Sequence, residues 1–307
     1  MAFTQFLNIS GFKALSTCAL FLSMQLTAAE HIAPPPYSSI ERNDIERLLP
    51  NDEIKSIQFG ETEFLSLYSE YMSAEFRGTV LLIPDWQSGV TNYAGMNFLR
   101  KELNNLGYTT YAMTVPDINW QATSEIATTP PQSTQPSAET VEKTPTESTN
   151  IEPHYVNAIA KVSNDVLDNY KDKLIARYEA LYQVAMAEPG NVVVIAQGTS
   201  AGVLLEYYAD FPDSRIDAFI GLSSYLPNAK RNKALSQTTS LVSPALLDIY
   251  YASDNTEILV NLKNRQRWVN RNAKFDYRQR QLFGLRDQPQ QHARLSKEID
   301  GFLRRLF

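Results

Sequence analysis

The sequence predicts an α/β fold with a mostly parallel, doubly wound sheet and an antiparallel hairpin at its amino-terminal side. Apolar and polar residues alternate over 54–59 and again over 63–72, as in two paired strands that each bury one face. After the hairpin, short β-branched apolar runs alternate with segments of helical periodicity. That alternation is typical of parallel strands joined by crossover helices.

Each further element is indicated by its own residue pattern. The helix predicted over 156–186 carries apolar residues three to four positions apart along one face. Gly107 and the run Glu188-Pro189-Gly190 mark two helix ends. In chain order we expect a helix over 40–49, strands over 78–85 and 109–115 around a helix over 91–106, the long helix, strands over 192–196, 216–222 and 245–252, a helix over 256–272, a polar edge strand over 275–283 and a terminal helix over 290–306.

The segment from Val192 to Tyr208 is the most specific in the chain. A β-branched apolar run gives way to small residues and then to an amphipathic helix. This is the strand, tight turn and helix of a nucleophile elbow, in which small residues let strand and helix meet closely. It predicts an α/β-hydrolase-like fold.

The elbow can be aligned in two registers. The run Gly198–Gly202 matches G-x-S-x-G literally, which makes Ser200 the nucleophile. Elbow geometry instead places the nucleophile about three residues beyond the last buried strand position, and counting from Ile195 that position is Gly198. Glycine adopts the strained elbow conformation readily but carries no attacking group. We favour this second register, in which Gly198 has a positive φ and Ser200 is a capping hydroxyl in the first helical turn.

A Ser-His-acid relay remains compatible with the order of residues along the chain. Such a relay needs a hydroxyl, an imidazole and a carboxylate, and α/β-hydrolases supply them in the order nucleophile, acid, base. Asp254 follows the strand over 245–252, and His292 precedes the terminal helix, so the candidate set is Ser200, Asp254 and His292. Equally, Asp254 suits a turn or helix cap, and His292 suits a surface position.

Backbone N–H groups beside this set would form an oxyanion hole. Thr199, directly after the elbow glycine, is one candidate. The others are Asp85 and Trp86, in the loop that follows the strand over 78–85. That loop also fits an ordinary connection from a strand to a helix.

The amino-terminal residues 1–29 have the features of a secretory signal. Lys13 precedes an apolar stretch over 14–26, and the small residues Thr27-Ala28-Ala29 offer a cleavage site. An uncleaved anchor is the alternative. Cys18 is the single cysteine, so a cleaved chain would hold no disulfide. We therefore expect a periplasmic or secreted protein of a Gram-negative bacterium.

Residues 121–153 differ in composition from the rest of the chain. They are rich in Thr, Ser, Pro and Glu and almost free of large apolar side chains, which predicts a disordered insertion. Because strand–helix alternation resumes after it, we expect one domain over 30–307. A linker between two domains is the alternative, and it would leave two halves too small for a complete parallel sheet.

Composition excludes several classes of function. A net charge of −6 and a pI near 5.3 argue against nucleic-acid binding. No metal-ligand spacing, phosphate loop or dinucleotide fingerprint is present, so no cofactor is expected. The expected partner is a small ester or a cell-envelope component, with membrane contact only through an uncleaved signal.

One basic stretch runs through this acidic chain. It is interpreted as the solvated face of a helix and an edge strand, or as a site for an anionic envelope polymer or lipid headgroup. Its members are Lys263, Arg265, Arg267, Arg271, Lys274, Arg278, Arg280 and Arg286.

Several short runs, taken in order, resemble an uncharacterised proteobacterial family of α/β-hydrolase-like proteins known only as a domain of unknown function. The resemblance spans residues 40–307 without the insertion and implies an α/β-hydrolase fold with no established activity. The departure from active hydrolases is Gly198. Two functions follow: a catalytically degenerate scaffold that binds or assists in the cell envelope, or a serine ester or acyl hydrolase using Ser200, Asp254 and His292. The runs are Gly78–Pro84, Leu99–Pro116, Val192–Gly202, Pro244–Tyr251, Tyr277–Gln279 and Glu298–Leu303.

Overall fold

Strands and helices alternate along residues 35–118, 162–212 and 216–307, the ranges that a computed structural model describes. The predicted signal and the predicted insertion lie outside them. No helix in these ranges combines the length and apolar character needed to cross a membrane. The elements are α1 (Tyr37–Leu48), β1 (Ile54–Phe59), β2 (Thr62–Ser69), β3 (Gly78–Ile83), α2 (Met96–Asn105), β4 (Tyr108–Met113), α3 (Asn164–Ala185), β5 (Asn191–Gln197), α4 (Gly198–Asp210), β6 (Ala218–Leu222), α5 (Ala229–Thr238) with a 3₁₀ turn (Thr239–Leu241), β7 (Ala245–Tyr251), α6 (Thr256–Arg271), β8 (Tyr277–Leu282) and α7 (Pro289–Leu303).

The described strands form one eight-stranded sheet in the order β1-β2-β4-β3-β5-β6-β7-β8. β1 and β2 pair as an antiparallel hairpin, and β2 pairs antiparallel with β4. Every other pair is parallel. The predicted fold class is therefore confirmed, as is the position of the polar strand β8 at the edge.

The sheet separates two apolar cores, one on each face. Along β5, Val192 and Val194 point into one core while Val193 and Ile195 point into the other. Helices α3, α4, α5 and α6 contribute to the core on the first face, and α1, α2 and α7 contribute to the core on the second. Because both faces are buried, the central strands have continuous apolar runs instead of alternating ones. Each buried Val, Leu or Ile contributes about 1.5–3 kcal/mol relative to an exposed one.

Three helices differ from the prediction. Helix α3, expected from residue 156, begins at Asn164, because the side chain of Ser163 accepts the N–H of Val166 and caps the helix there. The helix expected from residue 91 begins at Met96, because Gly95 precedes it with a φ of +112° and interrupts the helical path. Helix α5 was not predicted at all. Its sequence is mostly polar, and two of its buried residues, Asn232 and Ser236, are polar as well. Asn232 accepts a hydrogen bond from the N–H of Leu226, so a side-chain amide holds this helix where the apolar periodicity gives no signal.

The interpretation of the basic stretch as a solvated face was wrong for two residues. The side chain of Lys274 is almost completely buried and donates to the carbonyl of Pro244 at 2.9 Å. Arg265, on α6, is completely buried. Its guanidinium reaches Asp248 of β7 at 3.0 Å and the hydroxyl of Ser224 at 2.6 Å. The sequence pattern misled because a buried arginine with a full set of partners looks the same as an exposed one.

Candidate functional site

The turn between β5 and α4 is the centre of the candidate site. β5 ends at Gln197, and α4 begins at Gly198, whose φ is +58°. A Cβ atom on residue 198 would lie 2.3 Å from Cγ of Asp85. Glycine is therefore required twice, once by the left-handed backbone and once by the side chain that fills the space in front of it.

A second glycine brings α4 close to the loop after β6. A Cβ atom on Gly202 would lie 2.3 Å from the carbonyl oxygen of Tyr225. The N–H of Tyr225 in turn donates to the carbonyl of Gly198 at 3.2 Å. The elbow and this loop are thereby held as one unit.

The carboxylate of Asp85 occupies the amino terminus of α4. Its Oδ1 accepts the N–H of Thr199 at 2.7 Å, while the helix-capping residue, Gln197, contributes no side-chain cap. Burial raises the pKa of Asp85 to about 6, although the N–H groups of Thr199 and Trp86 and the charge of Arg286 act to lower it. The three residues predicted to form an oxyanion hole thus lie together, with the Asp85 carboxylate as the anion held by the N–H of Thr199.

The hydroxyl of Ser200 lies beneath this turn and is completely buried. It donates to the carbonyl of Pro84 at 2.6 Å and shares a hydrogen bond with the hydroxyl of Tyr170 at 2.7 Å. Burial raises the pKa of the Tyr170 hydroxyl. The expectation that Ser200 caps the helix was wrong, since its hydroxyl joins the end of β3 to α3.

Asp254 lies in the turn after β7. Its Oδ1 pairs with the guanidinium of Arg286, and its Oδ2 accepts the N–H of Tyr251 at 3.0 Å. The side chain of Asp254 is almost completely buried, whereas that of Arg286 is partly exposed. Asp254 therefore closes its own turn and orients an arginine from the loop after β8.

His292 was expected to precede the terminal helix, but it lies in the first turn of α7, which begins at Pro289. Its side chain joins two loops. Its Nε2 lies 2.9 Å from the carbonyl oxygen of Tyr93 and 2.8 Å from that of Arg286. Carbonyl oxygens only accept, so Nε2 carries the proton and donates. The ring stacks on Phe98 with centroids 5.3 Å apart.

The three candidate relay residues all lie beyond the carboxyl ends of parallel strands. However, each of them forms its hydrogen bonds with residues outside the candidate set. A general base must come within about 3 Å of the hydroxyl that it deprotonates. In the described structure, no hydrogen bond joins Ser200 to His292 or His292 to Asp254. The relay stays a prediction from chain order.

A cleft of about 620 Å³ opens above the elbow. Its walls are the loops that follow β3, β6, β7 and β8, so it lies at the carboxyl ends of parallel strands, where α/β folds bind ligands. Among the described residues, no cluster of histidine, cysteine and carboxylate side chains could hold a metal ion. The cleft is lined by Asp85, Trp86, Gln87, Ala94, Tyr225, Ser253, Asp254, Asn255, Ile258, Leu285, Arg286 and Asp287.

Several residues that line the cleft or bond to the candidate relay residues were not identified from the sequence. Tyr225 follows β6 and Arg286 follows β8, and both positions were visible as strand ends once the sheet order was known. Tyr170 carried no signal, because its place on α3 fits an apolar core residue equally well. Asp85 was named only for its backbone, although a carboxyl directly after a buried strand was the available clue.

Several solved structures share this fold, among them a hydrolase, a lipase and a serine hydrolase homologue. Dienelactone hydrolase from Anabaena variabilis matches with a TM-score of 0.53 and 11% identity, over 83% of this chain and 97% of that chain. A soluble variant of monoglyceride lipase from Saccharomyces cerevisiae matches with a TM-score of 0.50 and 12% identity, over 89% and 98%. An α/β serine hydrolase homologue from Coxiella burnetii matches with a TM-score of 0.50 and 12% identity, over 84% and 99%.

These similarities show that the fold is that of the α/β-hydrolases. At such low sequence identity they show the fold alone. Curated proteins gave no match to the chain. The chain belongs to the family described as "Protein of unknown function (DUF3530)", which matches residues 16–305. The resemblance stated from the sequence is confirmed.

Proposed function

We propose that this protein is a catalytically degenerate α/β-hydrolase that works by binding, as an exported binding or accessory protein of the cell envelope. One observation carries the proposal. At the elbow, where active α/β-hydrolases hold a nucleophile, this chain has Gly198, and the carboxylate of Asp85 fills the adjacent space.

The surroundings of the elbow support the same proposal. An oxyanion hole stabilises a developing negative charge with free N–H donors. Here the N–H of Thr199 already binds a carboxylate at 2.7 Å, and a second anion there would meet like-charge repulsion. Ser200, the serine nearest to the elbow glycine, is completely buried beneath the turn, away from the cleft lining.

The proposal of export rests on the sequence alone. Residues 1–29 have the flank, apolar stretch and small-residue site of a signal, and the remaining chain has no cysteine. Fractionation of a Gram-negative host that expresses the whole chain tests it. We expect the periplasmic fraction to contain a chain whose amino-terminal peptide begins at Glu30. A full-length chain in the cytoplasm would contradict export.

Labelling with a fluorophosphonate probe tests the proposed lack of catalysis. We expect no labelling of the purified chain, and no hydrolysis of short nitrophenyl esters, under conditions that label an active serine hydrolase in parallel. Labelling that is lost in Ser200→Ala and reduced in His292→Ala would overturn the proposal. It would establish the serine ester or acyl hydrolase that uses Ser200, Asp254 and His292.

A further inference from the structure

The cleft above the elbow holds more negative than positive charge, since three carboxylates line it and the guanidinium of Arg286 is the one basic group among its lining residues. Of its three carboxylates, Asp254 is paired with Arg286. Asp85, on the floor, and Asp287, on the exposed rim, form no ion pair with any described lysine or arginine. The charge of Arg286 lowers the pKa of Asp85 without forming an ion pair with it, and burial still raises that pKa overall. A positive group supplied from outside would offset the remaining cost of holding this carboxylate below the surface.

Aromatic and apolar groups line the same cleft. Trp86 and Tyr225 line the cleft together with Asp85, and the faces of such rings attract organic cations. Ile258, Leu285 and Ala94 add apolar surface suited to a carbon skeleton. A hydrated metal ion would gain nothing from these rings and aliphatic side chains, and an anion would face two unpaired carboxylates.

We propose that this cleft binds a small organic ammonium compound, with its positive nitrogen directed to Asp85 and its carbon skeleton against Trp86 and Tyr225. The inference rests on the binding role proposed above and names the class of ligand. The carboxylate that fills the nucleophile space thereby becomes the anchor of the site. Asp287 adds a second, more exposed attraction at the rim.

Ligand-observed NMR titrations of the full chain at low salt test the proposal. The probes are putrescine, choline and glucosamine, with 1,4-butanediol, glucose and succinate as neutral or anionic counterparts. We expect at least one amine to bind at one site, at least tenfold more tightly than its counterparts. The proposal is overturned if no amine exceeds its neutral counterpart, and equal binding of glucose and glucosamine would indicate a site for neutral polyols.

Two variants locate the site. Asp85→Asn keeps an oxygen for the N–H of Thr199 and removes only the charge, so we expect at least a tenfold loss of amine affinity. Asp287→Asn should weaken binding a few fold. Asp52→Asn, an exposed aspartate before β1 that does not line the cleft, is the matched control and should bind as the unchanged protein does. Amine affinity that survives Asp85→Asn would refute the assignment.

The result is separable from the test of the proposed function. Absence of amine binding together with absence of fluorophosphonate labelling would leave a degenerate scaffold with a different ligand. Labelling of Ser200 would overturn the degenerate scaffold whatever the amine titrations give.

Discussion

Two aspartates of this protein, Asp248, which is buried, and Asp85, which is half-buried, differ in what surrounds them. Asp248, on β7, is held by the guanidinium of Arg265 at 3.0 Å and by the hydroxyl of Tyr277 at 2.7 Å. Asp85, after β3, has a backbone N–H at 2.7 Å and no ion pair among the described residues. The first carboxylate is neutralised inside the core, and the second is left charged beneath a cleft.

The difference indicates separate roles for the two carboxylates. A buried charge with a complete set of partners holds neighbouring elements in one arrangement, here β7 against α6. A buried charge without a cation weakens the fold and is retained where binding or chemistry needs it. Asp85 raises the energy of the native state, whereas Asp248 depends on Arg265.

The largest effect is expected from Arg265→Met, which removes the cation from Asp248. A carboxylate buried without its partner costs about 3–5 kcal/mol, so the free energy of unfolding should fall by that amount. Urea denaturation measures it. Arg280→Met is the matched control, because that arginine pairs with Glu298 at the exposed edge and should change stability by about 0.5 kcal/mol or less. A similar loss of stability in both variants would show that the buried ion pair matters no more than the exposed one.

A side chain at the elbow should produce the second effect. Gly198→Ser forces a left-handed residue to carry a Cβ and displaces the carboxylate of Asp85, for a loss of about 2–4 kcal/mol. In the background of Asp85→Ala the same substitution should cost at least about 1 kcal/mol less, because the collision is gone. A double-mutant cycle by thermal denaturation gives this coupling. Additive effects would show that the two residues do not compete for space.

Asp85→Asn should stabilise the protein at neutral pH. Burial raises the pKa of Asp85 from 3.8 to about 6, so the native state holds this proton more tightly than the unfolded chain does. The stability that the neutral form provides is complete below about pH 4 and is lost as the pH rises to about 6. The amide cannot ionise, so we expect a gain of about 1–3 kcal/mol at pH 7 and none at pH 3. An equal gain at both pH values would assign the effect to something other than charge.

The smallest effect is expected from Ser200→Ala, which removes neutral hydrogen bonds and no charge. Its hydroxyl joins the carbonyl of Pro84 to the hydroxyl of Tyr170, so the loss should be about 1–2 kcal/mol at every pH. Tyr170→Phe removes the same bond from the other side, and the double variant should cost less than the two singles together. Strict additivity would mean that the bond contributes little.

The sequence was sufficient for the sheet and for the turn at its centre. Strands buried on both faces appear as unbroken apolar runs, and the small residues after Ile195 indicated where strand meets helix. Helix α5 was not predicted because the side-chain amide of Asn232 replaces the apolar contacts whose periodicity indicates a helix. The residue that pairs with a charged side chain often comes from a segment far away in the sequence. The burial of Arg265 and the pairing of Asp254 with Arg286 could therefore not be predicted from the local sequence pattern.

A side chain at residue 198 and the carboxylate of Asp85 cannot occupy the same space. This limits the order in which the two residues can be substituted during evolution. A lineage that replaced the glycine by serine first would pass through a destabilised protein, and it would still find the oxyanion position filled. Loss of the aspartate before the gain of the serine avoids both the collision and the occupied oxyanion position. A serine at residue 198 with a free oxyanion position therefore needs two substitutions, and their order matters.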